Sequence, residues 1–123
     1  MKKRILVVDD SDIVLEIARK ELEEGGFEVV VAPDAKEADG FIFGKKQPDL
    51  IILDVMLPML DGDKKARMLK QNDETRGIPI LLLSSKPESE LRYLVEESGA
   101  DGFIRKPFAA GQMVDRVRKA LHL

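Results

Sequence analysis

LIILDVMLPMLDG, from Leu50 to Gly62, sets four apolar residues directly against a carboxylate, Asp54. A run of that length without period-2 alternation reads as a strand covered on both faces, as in a parallel sheet with helices on each side. An acid ending such an interior strand is costly unless a partner or an ion meets it. Outward from this stretch, similar runs recur at Ile5 to Val8, Phe27 to Val31 and Ile80 to Leu83, with a shorter one at Phe103 and Ile104. Between them lie helical patterns. Ile13, Val14, Ile17, Ala18 and Leu22 recur at helical spacing, as do Met113, Val114, Val117, Ala120 and Leu121, and each set predicts one buried face. Asp34 with Glu37 forms a capping box for the second helix, while Gly25 and Gly99 fall where helices should stop. Gly40 interrupts the second helix, and the close spacing of Phe41 and Phe43 predicts that one ring points less directly into the core.

The order is five consecutive βα units, which implies an α/β fold: a parallel sheet with right-handed crossovers. The 123 residues fit one domain over 1–123, with no linker, repeat or low-complexity tract and no room for a second domain. The chain has no cysteine, so disulfides and thiolate metal sites are excluded. Charged residues make up 35% of the chain, and no apolar run approaches the ~20 residues that span a bilayer. The N-terminal MKKRILVVDD breaks its apolar run at two aspartates, against a secretory leader, so the expected location is the cytoplasm and no membrane partner is expected. Lys and Arg number 20 against 23 Asp and Glu, a balance that gives no footprint for direct nucleic-acid binding.

In an open parallel sheet, ligands bind beyond the carboxyl ends of the strands. The first strand runs into Asp9 and Asp10, the third into Asp54, the fourth into Ser84 and Ser85, and the fifth into Arg105, Lys106 and Pro107. Converging carboxylates repel unless a cation joins them, and a hard, oxygen-liganded ion such as Mg²⁺ is the natural candidate. Lys106 adds a fixed positive charge. A hydroxyl, a lysine and a carboxylate-bound metal around one further carboxylate make a setting for phosphoryl transfer, with Asp54 as nucleophile.

Four segments, ILVVDDSD at Ile5 to Asp12, LIILDVMLPMLDG at Leu50 to Gly62, LLLSS at Leu81 to Ser85 and DGFIRKPF at Asp101 to Phe108, resemble the receiver domains of bacterial two-component response regulators. The likeness covers essentially the whole chain and is to the single-domain, chemotaxis-regulator-like form. It implies a flavodoxin-like (βα)5 fold with strand order 2-1-3-4-5 and helices on both faces. It also implies that Asp54 accepts a phosphoryl group from a phosphohistidine on a histidine kinase or phosphotransfer protein. Asp9, Asp10, the Asp54 carboxylate and the backbone carbonyl of Met56 are then the Mg²⁺ ligands, Ser84 and Lys106 hold phosphoryl oxygens, and Phe103 is the aromatic switch. The Lys106–Pro107 bond is expected to be cis, as X-Pro bonds allow at modest cost.

On this reading the added charge draws Ser84 and Lys106 inward, Phe103 rotates into the vacated space, and the surface of the fourth helix, fifth strand and fifth helix changes its affinity for a downstream protein. The chain acts only on itself, without turnover of an external substrate, as a monomer or a weak phosphorylation-dependent dimer. Met56 beside the attack path should slow hydrolysis, and Lys86, two residues after Ser84, occupies another variable position. Phe103 lacks a tyrosine hydroxyl, so packing alone separates its positions. Asp10-Ser11-Asp12 also has the spacing of the haloacid dehalogenase-like nucleophile loop, but that family needs a longer chain and further motifs. A flavin protein would need a Ser/Thr-rich loop where Asp9 and Asp10 would repel phosphate. A phosphorylation-independent binding module with the same fold is the remaining alternative.

Plainer roles exist for the same residues. Asp9 or Asp10 equally suits a cap for a helix starting near Asp12, Ser84 and Ser85 suit a turn, and Phe103 suits the core. Met59 and Met68 read as packing or loop filling, Lys45, Lys46, Lys64 and Lys65 as solvated helix ends and faces, and the terminal His122 as idle.

Overall fold

The computed structural model describes residues 1–123. Strands and helices alternate strictly: β1 (Arg4–Val8), α1 (Asp12–Glu24), β2 (Glu28–Ala32), α2 (Ala35–Ile42), β3 (Leu50–Asp54), α3 (Gly62–Lys70), β4 (Ile80–Ser84), α4 (Glu88–Ser98), β5 (Gly102–Arg105) and α5 (Gln112–Ala120). All strand pairs are parallel, in the order β2-β1-β3-β4-β5 that the resemblance implied. β3 sits at the centre and is buried along its whole length, which accounts for its continuous apolar run.

Successive strand side chains alternate between two cores. Leu6, Val8, Ile51, Leu53, Ile80 and Leu82 meet α2, α3 and α4. Ile5, Val7, Leu50, Ile52, Leu81 and Leu83 meet α1 and α5. Each fully buried Leu or Ile contributes roughly 1.5–3 kcal/mol relative to exposure, so both layers are needed to hold a sheet of this size.

Helix ends follow local chemistry. Asp34 Oδ1 accepts from the Glu37 N–H at 2.8 Å, as the sequence indicated, and α2 continues through Gly40. Gly99 closes α4 in the left-handed conformation at φ 79°, which a Cβ would disfavour. Phe43 is the exposed ring of the close aromatic pair, while Phe41 packs on the core. α5 presents the expected stripe, with Met113 and Val117 buried and Val114, Ala120 and Leu121 packed beside them.

Three expectations need correction. In α1 the buried stripe is Leu15, Ala18 and Leu22, whereas Ile13 and Ile17 are 73% and 51% exposed. The helix carries two apolar stripes, and the one bearing Leu22 meets the sheet. Met59 and Met68 do not pack; both are exposed. Lys65 is not solvated. It is 5% exposed, and its ammonium is held by Asp39 of α2 in a salt bridge between the two helices. Asp39→Ala is expected to cost about 1–3 kcal/mol because it strands a buried charge, less than for a fully buried pair since Asp39 is half-exposed. Lys65→Met, which keeps the stem, should stay within about 1 kcal/mol. Urea denaturation of the two variants checks the asymmetry, and equal costs would refute it.

Candidate functional site

The alternation of the sheet runs just past the strand ends and sorts the polar residues there. The Asp9 N–H still pairs with the Ala32 carbonyl at 3.1 Å, and the Lys106 N–H with the Ser84 carbonyl at 2.8 Å. Asp9 therefore continues the row of Ile5 and Val7, Asp54 that of Leu50 and Ile52, and Lys106 that of Ile104, all on the α1/α5 side. Ser84 continues the row of Ile80 and Leu82 on the other side, where Phe103 also packs.

Asp9 and Asp54 are buried, Asp10 is exposed, and one carboxylate oxygen from each lies within 4.8 Å of the others. Lys106 Nζ is 2.7 Å from Asp9 Oδ2 and 3.4 Å from Asp54 Oδ2. Asp54 Oδ1 accepts from the Met56 N–H at 3.1 Å, and Asp9 Oδ1 from the Ser11 N–H at 2.9 Å. The helix cap is supplied by Ser11, whose Oγ accepts from the Val14 N–H, so neither Asp9 nor Asp10 serves as the cap.

Burial and the nearby charge of Asp9 push the Asp54 carboxyl up to about 6, against the opposing pull of the Met56 N–H and Lys106. Burial works against the Lys106 charge, yet contact with Asp9 and Asp54 outweighs it and raises that pKa above its ordinary value. One ammonium thus faces three carboxylates. The donor set is all oxygen and carries an excess of negative charge, a combination that fits a hard divalent cation held by Asp9, Asp10 and Asp54.

Ser84 is buried, and its Oγ accepts from the Lys86 N–H at 3.0 Å, so the hydroxyl serves the turn. Phe103 is half-buried on the α2–α4 core. Arg116 lies over its ring at 5.6 Å and donates to its carbonyl at 3.0 Å. Met56 leaves its side chain 66% exposed beside Asp54. The Lys106–Pro107 bond is cis.

The family model for the response regulator receiver domain matches residues 5–118. The chain belongs to that family. This receiver is 40% identical over 121 residues to the alkaline phosphatase synthesis transcriptional regulatory protein PhoP of Bacillus subtilis, covering 98% of this chain and 49% of that protein. It is 40% identical over 119 residues to the phosphate regulon transcriptional regulatory protein PhoB of Pseudomonas aeruginosa, covering 97% and 52%. The receiver thus spans about half the length of the curated relatives it matches. Among solved structures, chemotaxis response regulator CheY4 of Vibrio cholerae superposes with a TM-score of 0.90 at 27% identity, covering 98% of this chain and all of that one. Response regulator DrrB of Thermotoga maritima gives 0.86 at 27% identity, covering 99% and 54%. Aspartate phosphorylation and Mg²⁺ binding are features of the receiver family, and its members interact with histidine kinases. No helix of this receiver is long and apolar enough to cross a membrane.

Two features of the receiver's site escaped the sequence reading. Gly62 lies so close to the Asp54 backbone that a Cβ would sit 1.9 Å from its carbonyl oxygen. Arg105 Nε donates to the Lys86 carbonyl at 3.0 Å, tying β5 to the loop after β4. The glycine at the end of LIILDVMLPMLDG was a visible signal for the first; no local pattern announces the second.

Proposed function

We propose that this receiver takes a phosphoryl group onto Asp54 from a histidine kinase or phosphotransfer protein and releases it by hydrolysis, acting on no external substrate. The observation that carries the reading is the cluster at the end of β3, where Asp54 and Asp9 share Lys106 beside Asp10. In the transfer the N–P bond of the donor phosphohistidine breaks as an O–P bond to Asp54 forms. Asp54 is ionised at neutral pH despite its raised pKa, so it attacks without a general base. Lys106 holds Asp54 in place beforehand and pairs with a phosphoryl oxygen afterwards. Mg²⁺, when bound by Asp9, Asp10, Asp54 and the Met56 carbonyl, supplies positive charge to the phosphoryl oxygens.

Ser84 turns its hydroxyl from Lys86 toward the phosphoryl group, and Phe103 moves into the space behind it. The α4-β5-α5 surface then changes toward a downstream protein. Ile13 and Ile17, both exposed on α1, with Ile17 beside Phe108, offer the donor an apolar surface next to the cleft. The receiver is placed in the cytoplasm, as a monomer or a weak phosphorylation-dependent dimer without direct nucleic-acid contact.

Intact mass after incubation with acetyl phosphate tests this. One phosphoryl adduct per chain that requires Mg²⁺ is the expected result. No adduct in any condition would leave a phosphorylation-independent binding module. The exposed Met56 side chain shields the attack path from water, so Met56→Asn should shorten the adduct's lifetime several-fold. An unchanged decay rate removes that role.

A further inference from the structure

Lys86 is tied at both of its backbone groups. Its N–H donates to Ser84 Oγ at 3.0 Å, and its carbonyl accepts from Arg105 Nε at 3.0 Å. Arg105 lies opposite Ser84 in the β4–β5 register, so its side chain reaches from the sheet to the loop that must release the hydroxyl. The link bridges two elements that no other side-chain hydrogen bond joins at this end of the sheet.

We propose that Arg105 is a positioning residue for phosphorylation: by latching the Lys86 carbonyl it holds the β4–α4 loop where Ser84 Oγ accepts from the Lys86 N–H, on the face of the sheet away from Asp54. The inference rests on the function proposed above. Ser84 Oγ lies on the side of the sheet away from Asp54, so swinging it toward a phosphoryl group there carries it off the Lys86 N–H, and the Arg105 bond opposes any accompanying shift of Lys86. A bond present in one loop state and weakened in the other biases their populations, and any ligand that requires the released state binds more weakly by the same factor.

The latch and simple electrostatics predict opposite signs. A cation near the cleft attracts an anionic phosphoryl mimic, so if Arg105 acted only by charge its removal would weaken binding. If it acts as a latch, removal strengthens binding. The experiment is calorimetric titration of beryllofluoride in Mg²⁺ into the native chain, Arg105→Met, Ser84→Ala and the double variant, with Mg²⁺ affinity alone as a control. The expected result is a two- to tenfold tighter beryllofluoride affinity in Arg105→Met, about the net range of one ordinary hydrogen bond, since the guanidinium is exposed to solvent. Mg²⁺ affinity should be unchanged, and the gain should vanish in the Ser84→Ala background. Unchanged or weaker beryllofluoride binding in Arg105→Met overturns the latch, as does a gain that persists without Ser84. Failure of the native chain to bind beryllofluoride at all overturns the underlying phosphorylation reading and the latch with it.

Discussion

Asp54→Asn is expected to lose the phosphoryl adduct entirely while becoming more stable than the native chain at neutral pH. The first effect follows from chemistry: an amide oxygen is a poor nucleophile and carries no charge for Mg²⁺. The second follows from where the carboxyl sits. Its pKa rises from 3.8 to about 6 because burial and Asp9 disfavour its charge. Between those values the folded state binds more protons than the unfolded one, so stability falls as pH climbs through the window and the full penalty persists above about pH 6. Asparagine has no charge to penalise and leaves Lys106 with Asp9 at 2.7 Å. Allowing for solvent screening in a partly open cleft, the gain is about 1–2 kcal/mol at pH 7 in chelator and near zero at pH 4. Urea denaturation at the two pH values, with and without Mg²⁺, measures it. Mg²⁺ should stabilise the native chain by more than the variant, through binding to the folded state. Equal native and variant stability at pH 7 without metal would contradict the strained carboxylate.

Gly62→Ala is expected to be the most destabilising alanine substitution at any glycine of the chain. Alanine inside a helix ordinarily stabilises relative to glycine by about 1 kcal/mol. Here the added Cβ meets the Asp54 carbonyl oxygen at 1.9 Å, its carbon at 2.7 Å and Val55 Cα at 3.1 Å. All three are backbone atoms, so no rotamer relieves the contact. The Gly62 N–H also donates to the Val55 carbonyl at 2.8 Å, fixing the approach that makes the clash. A loss of about 2–4 kcal/mol follows, with slowed phosphorylation in the folded fraction because the residue displaced bears the proposed nucleophile. Gly40→Ala in α2, where a Cβ meets nothing within 4 Å, is the internal control and should gain up to about 1 kcal/mol. Similar midpoints for both variants would show that the loop after β3 can yield.

These expectations divide along a line that also separates what was legible in the chain from what was not. Apolar runs that end in Asp9, Asp54 and Ser84 reveal both sheet and site, because a carboxylate after an interior strand has few places to go. Lys65 was illegible. Its burial depends on Asp39 arriving from another helix, and a lysine in an amphipathic pattern otherwise reads as solvated. Ile13 and Ile17 misled for a related reason: α1 carries two apolar stripes, and only the tertiary contact selects the one bearing Leu22. The Arg105–Lys86 bond joins two residues 19 apart whose pairing depends on strand order, which local spacing does not encode.

The sheet that places these residues is also a partition. The α1/α5 layer and the α2–α4 layer share a backbone but no side chain. Substitutions in one therefore combine nearly additively with substitutions in the other. A lineage can repack the layer that carries Asp9, Asp54 and Lys106 beside α1, and leave the layer behind Ser84 and Phe103 untouched. The packing around α1 can drift without repacking the layer behind Ser84 and Phe103, whereas α5, which shares the α1 core and also borders β5, ties the two faces of the sheet to one history.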